Sequence, residues 1–177
     1  MMSFRSLSRS AIVAAVALAT SSAAQAQTSF TAFLNGAQEV PLRTTPAFGN
    51  GTVLMNAART QITINLTFQG LLGNITIAHI HNGAVGINGG VILDIRNLIT
   101  TTPDLKGGSI MNAMLNIDMA QANVLLAGNG YFNVHTDTSP GGEIRGQINV
   151  VPEPSTYLLM ATGLGGVMML VRRRRAS

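Results

Sequence analysis

Ile62, Ile64, Leu66 and Phe68 recur at every second position between Gln61 and Gln69, with polar residues between them. A period of two is the pitch of a β-strand with one buried face, and it cannot be laid along one side of a helix. Comparable runs occupy residues 30–34, 51–55, 75–81, 90–95, 109–115, 131–136 and 143–148, and Asn-Gly, Gly-Gly or Pro-Gly signals fall between many of them. Short strands at this spacing predict an all-β domain, a β-sandwich or barrel-like single domain with one short helix. The helix is predicted over residues 119–126, where Asp118 can cap the first turn and Gly128 can end the last. The chain has no cysteine, so the domain must be held by its packed core alone.

Both ends differ from this pattern. Residues 1–26 carry Arg5 and Arg9, then an apolar run over 11–19, then Ala24-Gln25-Ala26, which together read as a secretory signal peptide cut after Ala26. Residues 151–177 contain Pro152-Glu153-Pro154, an apolar run over 157–171 and the cluster Arg172, Arg173, Arg174 and Arg175. As a helix, residues 155–171 would extend about 25 Å, enough for a short transmembrane segment with snorkelling flanks. Arginines at both ends hold those ends on the cytoplasmic side, so residues 27–150 are expected outside.

The formal charge of +4 therefore describes the ends rather than the domain. Between them stand Arg43, Arg59, Arg96, Lys106 and Arg145 against Glu39, Asp94, Asp104, Asp118, Asp137 and Glu143. A near-neutral domain offers no basic stripe to nucleic acid. Nor does the chain show a cysteine nucleophile, a phosphate-binding loop between strand and helix, or a Gly-x-Ser-x-Gly elbow, and no enzymatic role is expected.

The histidines are the chemically pointed residues. His79 and His81 lie two apart in one predicted strand and so share a face, while His135 lies in another. Parity over the last two strands places Phe132, Val134, Ile144, Gly146, Ile148 and Val150 on the apolar side. Tyr131, Asn133, His135, Glu143, Arg145 and Gln147 fall on the opposite side. Three imidazoles from two strands suit Zn or Cu, with Glu143 as a fourth ligand or as an acceptor for an imidazole N–H. The other reading is a hydrogen-bonded polar face without metal. The parity of the first strand decides the geometry: Ile75 and Ile77 inward would bury His79 and His81, whereas Ala78 and Ile80 inward would free them.

Three stretches carry a resemblance. Residues 34–41 (Leu34 to Pro41), residues 78–89 around His79 and His81, and residues 131–136 with 141–147 are together similar to the CHRD domain, first named in chordin. Gly89-Gly90 stands where that family often has Gly-Pro, which touches only a turn. The resemblance implies a sandwich-like extracellular domain over residues 27–150 and structural roles for Glu39 and Arg145, an ion pair between them being one arrangement. The tail over residues 151–177 resembles the PEP-CTERM sorting signal of Gram-negative bacteria. That implies an exosortase as partner, passage through the membrane, and delivery to the cell surface or extracellular matrix. A binding or structural protein is the expected role, with exopolysaccharide as a partner, although 5% aromatic content and no Trp make a poor stacking platform for sugars. The alternative is a Cu/Zn-binding domain with superoxide-related chemistry, by analogy with the H-x-H strand pair of copper/zinc superoxide dismutase.

Overall fold

In a computed structural model, which describes residues 27–152, 162–166, 168 and 172, the alternating run becomes β3 (Gln61–Gln69). Its four apolar residues are buried, and Ile62, Ile64 and Leu66 are fully so. β3 pairs antiparallel with β2 (Phe48–Met55), and β2 pairs antiparallel with β1 (Thr28–Asn35). The registers Phe30↔Val53 and Val53↔Ile64 set inward residues of the three strands side by side, so each strand's apolar alternation supports the next. Beyond β3 lie β7 (Gly108–Asn116) and the short edge strand β6 (Thr100–Thr101).

The other half is built from β4 (Ile75–Asn82), β5 (Gly90–Asp94), β8 (Gly130–Thr136) and β9 (Ile144–Gln147), with β10 (Asn149–Val150) returning to β1. The strand order is β5-β4-β8-β9-β1-β2-β3-β7-β6, every pairing being antiparallel. This is one continuous half-barrel sheet rather than two separate sheets. It curls until β2 meets β8 across the core: a Cβ on Gly51 would fall 2.7 Å from the Phe132 ring, so that position must be glycine. Phe30, Leu34, Ile64, Leu66, Ile80 and Phe132 fill the space enclosed.

α1 (Met119–Leu126) closes the core with Ala122 and Leu125. Its start is a capping box, in which Gln121 N donates to Asp118 Oδ1 at 2.8 Å and Asp118 N donates to Gln121 Oε1 at 2.9 Å. Gly128 leaves the helix with φ 72°, as expected for a glycine beyond the last turn. Two 3-10 turns (Gly36–Gln38 and Arg96–Leu98) and the two-residue strands β6 and β10 were not expected from periodicity, being too short to show one. Val150 departs from its expected inward placement and is 42% exposed. Ile148 N donates to Gly130 O, and the chain then crosses from β8 to β1, so the alternation restarts.

The expected signal peptide, with Ala24 and Ala26, lies outside the described residues, as do Glu153, Pro154, Arg173, Arg174 and Arg175 of the tail. Among the described residues no helix is long and apolar enough to cross a membrane.

Candidate functional site

A bulge sets the histidine face. The pairing of β4 with β8 passes from Ile75↔Thr136 to Ala78↔Val134, three steps on β4 against two on β8, so β4 carries one extra residue. Thr76 and Ile77 both turn to solvent, and the alternation resumes with Ala78 and Ile80 fully buried in the core. His79 and His81 are thereby freed from the core and meet His135 on the opposite face.

That face is polar but covered. Cross-strand rows run His79↔Asn133↔Arg145 and His81↔Tyr131↔Gln147, and every residue of β8 and β9 is buried on both sides of the sheet. The cover is the loop over residues 83–89, together with the segment after β1. Arg145 is 1% exposed and lies with its guanidinium carbon 3.5 Å from the Tyr131 ring centroid. It donates to Ile87 O at 3.1 Å, to Ala84 O at 2.9 Å and to Gln147 Oε1 at 3.2 Å. Gln147 Nε2 in turn donates to Gly83 O and Gly128 O. Asn88 Nδ2 donates to Val40 O, which latches the loop onto the segment after β1.

The three imidazoles form a mutual cluster with ring centroids 5.2–5.8 Å apart. His81 stacks on Tyr131, the planes 9° apart, and Tyr131 Oη accepts from Gly89 N at 3.1 Å. His81 Nδ1 lies 2.9 Å from Gly89 O, and His135 Nδ1 lies 2.9 Å from Pro140 O. A carbonyl only accepts, so each of these Nδ1 atoms carries a proton and each Nε2 presents its lone pair. Burial lowers both imidazoles below the ordinary histidine pKa, although the same carbonyls oppose the shift. Both are thus neutral near pH 7. His135 Nε2 is 3.3 Å from His79 Nδ1, whose N–H it accepts. His81 Nε2 is buried with no partner.

Glu143 does not join this cluster, which corrects its expected place beside His135. The regular pairing of β8 with β9 ends at Val134↔Ile144, so Glu143 lies outside the ladder and the parity that would align it with His135 no longer applies. The carboxylate instead accepts from Leu72 N at 2.6 Å, Gly73 N at 3.2 Å, Thr45 Oγ1 at 2.8 Å and Thr136 Oγ1 at 2.8 Å. Burial would raise its pKa, but these four donors outweigh burial and hold it below the usual range.

Glu39 and Arg145 are both buried, yet the hydrogen bonds of Arg145 go to the loop carbonyls and Gln147 rather than to Glu39. Glu39 Oε1 and Asn133 Oδ1 are buried without partners and flank Gly142, where any side chain would collide with both. Burial pushes the Glu39 carboxyl up to about 7, against the lowering influence of Arg145 and Arg43.

Parity alone put Tyr131, Asn133 and Gln147 on the histidine face, which was the available signal that they belong to it. The roles of Gly89 and Pro140 rest on their backbone carbonyls, and residue identity gave no sign of them.

Residues 30–148 match the family described as CHRD domain, and residues 150–175 match the PEP-CTERM protein-sorting motif. No curated protein and no solved structure matches the chain. The sorting motif implies exosortase-type processing and marks an exported protein of the cell envelope. Since the first match takes in the core of the sheet, the helix and all three histidines, the chain belongs to the CHRD domain family.

Proposed function

We propose that the CHRD domain is a non-enzymatic binding or structural module of the cell surface or extracellular matrix, separated from its tail by an exosortase-type enzyme acting near Pro152-Glu153-Pro154. The observation that carries this reading is where the last strand among the described residues ends. Val151 N donates to Ser29 O at 2.8 Å, and Pro152-Glu153-Pro154 follows at once, with Val151 and Pro152 exposed. A cut beyond Val151 would therefore leave every strand among the described residues intact. The buried polar groups also favour a structural over a catalytic reading, because Glu143, Arg145 and Gln147 are each engaged by several backbone partners.

Mass spectrometry of the protein from its own cells tests this. The expected mature form begins at Gln27 and ends between Val151 and Ser155, and it should be absent from cells lacking the exosortase. A surface form that still carries Arg172, Arg173, Arg174 and Arg175 would mean a permanent anchor and would sink the processing step. Retention on extracted exopolysaccharide, compared with unrelated polymers, tests the matrix partner.

A further inference from the structure

We propose that His79, His81 and His135 form a three-imidazole site for a divalent late first-row metal ion, zinc or copper. One ring nitrogen from each residue lies within 4.8 Å of the others. In a tetrahedral centre with metal–nitrogen bonds of about 2.0–2.1 Å, two ligand nitrogens stand about 3.3 Å apart. His79 Nδ1 and His135 Nε2 already stand at 3.3 Å. A single N–H of His79 occupies the space between them. An ion there replaces that proton, which His79 can carry on Nε2 instead.

The surroundings are arranged as a ligand site requires. Histidines that ligate metals commonly donate the other ring N–H to a carbonyl or carboxylate, which fixes the tautomer and the ring plane. Here two loops supply those carbonyls independently, Gly89 O to His81 and Pro140 O to His135. With each Nδ1 so engaged, Nε2 is the ring nitrogen that His81 and His135 have left for a metal. His81 Nε2 is buried and finds no partner, an arrangement that costs stability unless something accepts the lone pair. His79 is only half-buried, so the cluster is reached from solvent on its side.

The donor set also selects among ions. It holds no thiolate, since the chain has no cysteine, and the carboxylate of Glu143 is saturated by four other donors. Three imidazole nitrogens suit zinc and copper and offer little to calcium or magnesium, which take oxygen ligands.

The test uses the full chain without a polyhistidine tag, stripped with chelator and titrated separately with Zn2+ and Cu2+ against a competing chelator. The expected result is one ion per chain for at least one of the two metals, with affinity at least about 100-fold weaker in His81→Gln and in His135→Gln. Thermal unfolding in chelator shows whether each variant is folded. Where a variant is not, X-ray absorption of the loaded wild-type chain decides, with three nitrogens at about 2.0–2.1 Å expected. No ion retained at micromolar concentration, uptake unchanged by either substitution, or a shell of oxygen ligands would each overturn the proposal.

Discussion

Glu39 illustrates how a single buried group can make stability depend on pH. Its folded pKa of about 7 lies above the ordinary 4.5, so the folded chain keeps the proton where the unfolded chain has lost it. The stability this residue contributes is complete below pH 4.5 and is lost as pH rises through 7. His81 and His135 act in the opposite sense, since their lowered pKa values weaken the fold as acid protonates the unfolded chain first. The informative quantity is therefore the difference between wild type and Glu39→Gln in urea unfolding. The two should be close at pH 4, and the variant should be more stable above pH 7 by on the order of 2 kcal/mol. Arg145 gives a second prediction at this scale. Arg145→Ala removes the donor for Ala84 O and Ile87 O and opens space beside Tyr131, so it should cost about 2–4 kcal/mol by the same measurement. Arg145→Lys should recover little, because one ammonium cannot bridge those acceptors and also lie flat on the ring.

Among the elements, β3 and α1 were fully legible in the sequence, and β4 was not. The residue alternation of β3 is its burial pattern, and Asp118 marks the helix start by residue type alone. The orientation of β4 depends on a bulge that only pairing with β8 creates, so parity counted from Ile75 points His79 and His81 the wrong way. The same limit explains Glu143, which lies just beyond the last pair of the β8–β9 ladder, Val134↔Ile144. A bulge that is one extra residue has a testable corollary: deleting Ile77 regularises the ladder and keeps Ala78 facing the core. That variant should still unfold cooperatively by circular dichroism. Deleting Ile62 from β3, where no such slack exists beside β2, flips every later side chain of the strand and should abolish the transition. At the helix, Asp118→Ala should cost about 0.5–2 kcal/mol through loss of the capping box.

At the scale of the whole molecule, the half-barrel lets both faces of β8 and β9 be buried. Apolar residues line the curl on one side, and on the other the loop over the polar face supplies backbone carbonyls to Arg145 and Gln147. All-β architecture was readable from the short strands. The curl was not, because it follows from the close approach of β2 and β8 at Gly51. The bond from Val151 to Ser29 has a further consequence. It makes the first and last strands of the domain neighbours, so entry and exit of the chain lie side by side. A fold with adjoining ends is portable: it can be spliced into a loop of another protein, or its ends can be joined and new ones opened elsewhere. A circular permutant closed by a short Gly/Ser linker between residues 151 and 28, and opened at the exposed loop around Val85 and Gly86, should fold with a single cooperative transition.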